Sequence, residues 1–278
     1  METAPSAESD NITLAARPAR LREQTVALRH GEMRLWRKGS GTPVVILHGA
    51  GGPEMWLDYI ERWPESNEVI LAEHPGFGKT GLPAWLETVD DLAYAYLDLF
   101  GELGLTDFHL VGHSLGGWLA MELAVRNCAA LRSLTLVSAP GVRVEGVRIA
   151  DNFLWTPEEA ARALFANPEL RARQLAHVPE SDERLQRLQR MKTVAKLVWN
   201  PRWYNPVLAK WLHRISCPTQ IVWGRQDGFI PAAYAPALAA MIPGATLAWI
   251  DECGHVPHLE RSAAFAQILA GFFSRVAL

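Results

Sequence analysis

The sequence predicts an α/β fold with a mostly parallel central sheet flanked by helices, and three observations carry that expectation. Short apolar runs alternate with helical stretches along most of the 278 residues, the pattern of strand and helix in βα repeats. Runs such as Val44-Val45-Ile46-Leu47 are continuous rather than alternating, as strands covered on both faces are. Gly112-His113-Ser114-Leu115-Gly116 stands where one such run gives way to a helical stretch, a G-x-S-x-G pattern in a strand, turn and helix context.

Taken in order, residues 1–20 are rich in Ala, Ser, Pro and acidic residues and are expected to form a mobile tail. They lack the basic start and apolar core of a secretory signal. Gln24–Leu28 and Met33–Trp36 alternate around His30-Gly31 and predict an antiparallel hairpin. Buried strands are expected at Val44–Leu47, Val69–Leu71, Phe108–Val111, Leu134–Val137, Gln220–Trp223 and Thr246–Ile250. Helices are expected at Asp90–Leu103, Gly117–Arg126, Ala232–Met241 and Ala263–Val276.

One connection is too long. Between Ser138 and Pro218 lie roughly eighty residues where a crossover needs about a dozen. Thr156-Pro157-Glu158-Glu159 reads as a capping box with Pro in the first helical position, and Ser181-Asp182-Glu183 opens another helical run. Asn167-Pro168, Val178-Pro179, Asn200-Pro201 and Asn205-Pro206 punctuate this stretch as turns. The expected organisation is a core over residues 21–139, a helical lid over 140–212 inserted after the sixth strand, and the rest of the core over 213–278.

Composition narrows the function classes. With 49% hydrophobic and 21% charged residues the chain is globular, and its net charge of −3 with dispersed Lys and Arg gives no field for nucleic acid or an anionic membrane. Three cysteines, Cys128, Cys217 and Cys253, contain no CxxC pair, so neither a disulfide framework nor a thiolate metal site is expected. The expectation is a cytoplasmic protein acting on a small molecule, with no metal and no cofactor. It is expected to be a monomer or a homodimer.

A serine hydroxyl needs a base within hydrogen-bond reach and a third group that fixes the base's tautomer. In the strand-turn-helix setting these follow in the order Ser, acid, His. Asp227, in Gly224-Arg225-Gln226-Asp227-Gly228, lies just past the strand ending at Trp223, and His255 lies just past the last strand in Cys253-Gly254-His255. Ser114, Asp227 and His255 are therefore the candidate triad. Asp251, four residues before His255, is the rival acid and is read as tying down its own loop.

Among nine histidines, His48 is expected to bond loop backbone, His113 is the variable residue of the elbow, and His258 is placed at the start of the final helix. The remaining five, His30, His74, His109, His177 and His213, have no triad-like position. The oxyanion donors are expected to be the Leu115 N–H at the helix N-terminus and the Ala50 N–H of His48-Gly49-Ala50-Gly51-Gly52, with Gly51 as second choice. Side chains at Gly112 or Gly116 are expected to collide with the adjacent strand or helix.

Leu47-His48-Gly49-Ala50-Gly51-Gly52, His74-Pro75-Gly76-Phe77-Gly78, Gly112–Gly117, Trp223–Asp227 and Gly254–Glu260 together carry a likeness. From about Gly41 to the C-terminus the chain resembles the α/β-hydrolase fold family, specifically its lid-bearing branch of serine esterases and carbon–carbon-bond hydrolases. Relatives commonly hold Asp where Glu73 stands before His74-Pro75-Gly76, which questions a loop hydrogen bond and not the triad.

The resemblance implies hydrolysis of carboxylic esters through an acyl-enzyme. The serine sets aside the dehalogenases and epoxide hydrolases of this fold, which use aspartate. Hydrolysis of a carbon–carbon bond in a vinylogous diketone is the alternative. Such enzymes tend to carry Asn before the serine and Trp after the histidine, where this chain has His113 and Val256. A ligand receptor that turns over slowly or once is a third reading. Trp155, Trp199, Trp203, Tyr204 and Trp211 fall in the lid. Trp155, Trp199 and Trp203, with Trp118, are candidate pocket residues, against the plainer reading that a thin lid needs large side chains for a core of its own. Arg190 and Arg143 are read as solvated lid arginines or as partners for a substrate carboxylate.

Overall fold

The computed structural model describes residues 21–29, 31–64 and 66–276. The expected tail and His30 lie outside them. An eight-stranded sheet runs in the order β1-β2-β4-β3-β5-β6-β7-β8, from β1 (Arg22–Leu28), β2 (Gly31–Lys38), β3 (Thr42–Leu47), β4 (Asn67–Ala72), β5 (Phe108–His113), β6 (Leu131–Val137), β7 (Thr219–Gly224) and β8 (Thr246–Ile250). β1 and β2 form the expected hairpin, β2 pairs antiparallel with β4, and every other pairing is parallel.

Both faces of the sheet are covered, which is why its strands read as unbroken apolar runs. On one face Val45, Leu47, Leu110 and Leu136 pack with α2 (Val89–Glu102), α3 (Leu115–Asn127) and α7 (Tyr234–Met241). On the other, Val44, Ile46, Val111 and Val222 pack with α1 (Glu54–Glu61) and α9 (Ser262–Val276), through Trp56, Ile60, Phe265 and Leu269. Each such fully buried side chain contributes about 1.5–3 kcal/mol.

α1 is an element the sequence reading did not include. It follows the glycine-rich loop with Pro53 at its N-cap and no capping side-chain bond, so Glu54 in its first turn is a weak start signal standing without a cap. The one-turn α8 (Pro257–Glu260) is separate from α9, because Arg261 leaves helical backbone at φ −136°. His258 thus sits in α8 rather than in the final helix.

Between β6 and β7 the chain forms α4 (Pro157–Leu164), α5 (Pro168–Ala176) and α6 (Ser181–Val198). The capping box is present: Glu159 N–H donates to Thr156 Oγ1 at 3.2 Å and Thr156 N–H to Glu159 Oε2 at 2.8 Å. Asn167 does more than mark a turn, since its Oδ1 accepts from Glu169 and Leu170 N–H and caps α5.

Strand order positions the site. β3 lies between β4 and β5, so successive connections leave it in opposite directions and open a crevice at the carboxyl ends of β3 and β5. Leu47 of β3 is in register with Gly112 of β5. The loop after β3 and the turn after β5 therefore meet.

Candidate active site

Ser114 occupies the turn between β5 and α3 at φ 53°, ψ −120°, a conformation that costs a non-glycine residue of order 1–3 kcal/mol. The turn is tight because β5 and β3 both lie against the start of α3. A Cβ on Gly112 would strike the Gly116 carbonyl, and one on Gly116 would strike the Leu47 carbonyl of β3. Both expected collisions are therefore present, one with the helix and one with the neighbouring strand.

The loops after β7 and β8 bring an acid and a base to this turn. Gln226 N–H donates to the Cys253 carbonyl, and Cys253 N–H donates to Gln226 Oε1, each at 2.9 Å, which laces the two loops together. Asp227 Oδ1 accepts from Phe229 and Ile230 N–H at 2.9 Å, leaving Oδ2 to accept from His255 Nδ1 at 2.8 Å. With Nδ1 protonated, His255 Nε2 is the acceptor for the Ser114 hydroxyl, 2.9 Å away. All three residues are buried. The rival Asp251 is 81% exposed and pairs with Arg225 at 2.6 Å.

The loop after β3 is held by side chains behind it. His48 Nδ1 donates to the Gly49 carbonyl at 2.7 Å while Nε2 accepts from His74 N–H at 3.0 Å. His74 Nε2 in turn donates to the His48 carbonyl at 2.8 Å, and its Nδ1 accepts from Tyr96 Oη at 2.5 Å. Burial pushes the His74 imidazole down to about 3 and also holds His48 well below its ordinary value, so both stay neutral in these roles. Glu73, where Asp is the common residue, keeps a loop hydrogen bond: Oε1 accepts from Thr80 N–H at 2.5 Å, with Arg34 3.5 Å from Oε2. A Cβ on Gly49 would lie 3.2 Å from Ser114 Cβ, so this backbone abuts the serine. The hydrogen bonds among the described residues leave the Ala50 and Leu115 N–H groups without an acceptor. Gly51 faces Met55 Sδ.

Two further residues support the Ser114–His255–Asp227 arrangement and escaped sequence reading. His113 Nε2 donates to the His255 carbonyl at 2.8 Å. Burial, with the neighbouring His255 imidazole, pushes His113 down to about 3. Glu260 of α8 accepts from Gly254 N–H through Oε1 at 2.7 Å, and from Ala166 and Asn167 N–H through Oε2 at 2.7 and 2.9 Å. The end of α4 completes this clamp: His255 N–H donates to the Leu164 carbonyl at 2.8 Å and Gly228 N–H to the Ala163 carbonyl at 3.0 Å. Only the short spacing from Gly254 to Glu260 was visible in the sequence.

The four candidate pocket tryptophans part company. Trp118 is a buried core side chain whose Nε1 donates to Glu122 one turn on in α3. Trp203 is fully buried and donates to Asn152 Oδ1. Both are packed in the core, each with its indole N–H satisfied inside the protein. Trp199 is 56% exposed beneath the Arg202 guanidinium. It lines, with Arg143, a cavity of about 530 Å³ that no triad residue reaches. Trp155 and Trp203 both stand edge-on to Phe229, whose ring is 4.9 Å from that of His255. Arg190 of α6 pairs with Glu54 at 2.9 Å, beside Gly52.

Among the described residues no group of three or more His, Cys, Asp or Glu side chains could hold a metal ion, and no helix is long and apolar enough to cross a membrane.

Residues 44–268 match the model of the alpha/beta hydrolase family. A provisionally assigned carbamate hydrolase, RutD, of Azorhizobium caulinodans is 26% identical over 260 residues, covering 86% of this chain and 93% of that protein. A 2-hydroxy-6-oxononadienedioate/2-hydroxy-6-oxononatrienedioate hydrolase of Pseudomonas putida is 28% identical over 269 residues, covering 88% and 94%. Among solved structures, the meta-cleavage product hydrolase of Pseudomonas fluorescens superposes with a TM-score of 0.73 at 21% identity, covering 91% of this chain and 97% of the other. That degree of likeness shows the fold.

Proposed function

Because the chain belongs to the alpha/beta hydrolase family, we propose that it is a serine hydrolase acting on carboxylic esters of small to medium, hydrophobic substrates. The observation that carries this reading is the unbroken relay from Ser114 Oγ to His255 Nε2 at 2.9 Å and from His255 Nδ1 to Asp227 at 2.8 Å. His255 takes the serine proton as Ser114 attacks the ester carbonyl, and the Ala50 and Leu115 N–H groups receive the oxyanion. His255 then protonates the departing alcohol, and water activated by the same imidazole releases the acid. Asp227 holds the tautomer and stabilises the imidazolium. Helices α4 to α6 serve as the lid, with Trp155 and Phe229 as an aromatic wall beside the reacting centre. The three free thiols support a reducing, cytoplasmic setting.

The names of the relatives favour one second reading, hydrolysis of a carbon–carbon bond in a vinylogous diketone. A single experiment separates the two: steady-state hydrolysis of p-nitrophenyl esters from acetate to decanoate beside a vinylogous diketone, with Ser114→Ala as blank. Ser114-dependent ester turnover with little diketone cleavage supports the esterase. Fast diketone cleavage with feeble ester turnover replaces it. Silence on both points to the ligand receptor.

A further inference from the structure

Far from the triad, two cysteines and a serine form a cluster that the hydrolytic chemistry does not use. Cys128 follows the last residue of α3, and Cys217 precedes β7. The Cys128 sulfur accepts from Ser216 N–H at 3.2 Å, from Cys217 N–H at 3.3 Å and from Ser216 Oγ at 3.6 Å. Two consecutive backbone donors and a hydroxyl converging on one sulfur make a cradle for an anion. The site lies at the C-terminal end of α3, whose dipole opposes a thiolate. Arg214 offsets this by donating to the Val125 carbonyl at 3.0 Å.

We propose that Cys128 and Cys217 form a peroxide-reactive thiol pair, in which Cys128 is the attacking sulfur and Cys217 resolves it to a disulfide. The access is right, since Cys128 is half-buried, Ser216 is exposed and Cys217 is buried behind them. Burial pushes the Cys128 thiol up, but the hydrogen bonds from Ser216 and Cys217 outweigh it and hold the group below its ordinary value. Burial and the neighbouring Cys128 push Cys217 up to about 12. The two thiols are thereby differentiated into nucleophile and resolver.

The reaction balances with a hydroperoxide as the two-electron oxidant. The Cys128 thiolate attacks the peroxide oxygen, a sulfur–oxygen bond forms, the oxygen–oxygen bond breaks, and hydroxide or an alkoxide leaves to be protonated. The sulfur is now a sulfenic acid. Cys217 sulfur attacks it, the disulfide bond forms, and the hydroxyl departs with the Cys217 proton as water. Oxidation of Cys128 also removes the charge that raised Cys217, so the first step prepares the second. The bridge would join the end of α3 to the start of β7 across 89 positions of sequence, enclosing α4 to α6. α3 spans about 20 Å, so the bridge forms at the far end of the helix from Ser114.

The test treats the full chain with hydrogen peroxide, with dimedone as the sulfenic acid trap, and maps peptides by mass spectrometry. The expected result is a Cys128–Cys217 linked peptide that dithiothreitol reverses, and a dimedone adduct on Cys128 when Cys217→Ser removes the resolver. Cys253, buried, with its thiol pushed above the ordinary value by that burial, serves as the internal control and should react at least tenfold more slowly. The oxidised protein should melt about 5 °C higher, from the restricted unfolded chain, with its Ser114-dependent activity retained. Absence of both the linked peptide and the adduct, or equal labelling of Cys253, overturns the site. An adduct on Cys128 in the wild-type chain with no linked peptide overturns the pairing.

Discussion

His113 and His255 are joined side chain to backbone: the His113 Nε2–H donates 2.8 Å to the His255 carbonyl, linking positions 142 apart in sequence. The residue preceding Ser114 thereby sets the height of the loop that carries His255. His113 is neutral and buried, so the contact is a fixed strut and does not switch with protonation in the working range.

Removing that strut should misplace His255 while leaving substrate contacts alone. His113→Ala is expected to lower kcat about tenfold with little change in KM, and His113→Gln, which can still present an N–H, to recover most of it. Steady-state kinetics on a Ser114-dependent ester decides this. A parallel loss of KM and kcat in both variants would show general disruption of the site.

The relay itself makes a sharper demand. Ser114→Ala and His255→Ala are each expected to reduce turnover by several orders of magnitude with far-UV circular dichroism unchanged, because triad members act as a unit. An active Ser114→Ala protein would sink the mechanism.

Asp227 and Asp251 offer a paired comparison. Asp227 accepts three hydrogen bonds in a buried loop, whereas Asp251 pairs with Arg225 at the surface. Asp227→Asn should cost about a thousandfold or more in kcat/KM, and Asp251→Asn less than twofold. The reverse ranking would move the acid.

Glu260 should matter for stability before it matters for rate. Glu260→Ala strands the buried N–H of Gly254 and the part-buried N–H groups of Ala166 and Asn167, at about 1–3 kcal/mol for the buried donor and less for the other two. Urea unfolding is expected to register a loss of about 2–4 kcal/mol, with faster amide exchange at Ala166 and Asn167. Protection equal to wild type there would remove the clamp.

Low pH should attack the fold through buried imidazoles. His74 and His113 lie at about 3 in the folded chain, chiefly through burial, against an ordinary 6.5. The unfolded chain therefore takes up protons first as the pH falls. The stability these groups confer is full above about 6.5 and is lost progressively towards 3, at about 1.4 kcal/mol per pH unit for each. Unfolding midpoints should drop steadily from pH 6.5 to 4.5, and His113→Gln should shallow the slope by about one proton. A flat profile across that range would contradict the burial of these groups.

Much of this architecture was legible because it rests on local signals. Doubly covered strands leave continuous apolar runs, and Gly112, Ser114 and Gly116 record a turn that admits no other packing. The capping box at Thr156 announced α4. α1 was silent, since Pro53 supplies no capping side chain. Glu260, Phe229 and the His113 strut were invisible for a different reason. Their partners lie on other loops, and nothing in a residue's own neighbourhood records where a distant carbonyl or N–H will arrive. The tryptophans were ambiguous in the same way, as size alone does not say whether an indole faces a ligand or its own helix.

The crowding at the nucleophile turn has an evolutionary consequence. Gly112 and Gly116 are pinned by the backbone of α3 and β3, so neither can change without moving a helix or a strand. The Ser114 side chain is buried beside the Gly49 backbone, with its Oγ directed at His255 Nε2. Natural variation can therefore exchange the reactive atom at this position, for a thiol or a carboxylate, while inheriting the turn unaltered. The scaffold constrains its flanks more severely than its chemistry, and new reactions can arise here by the cheapest of routes, a single codon.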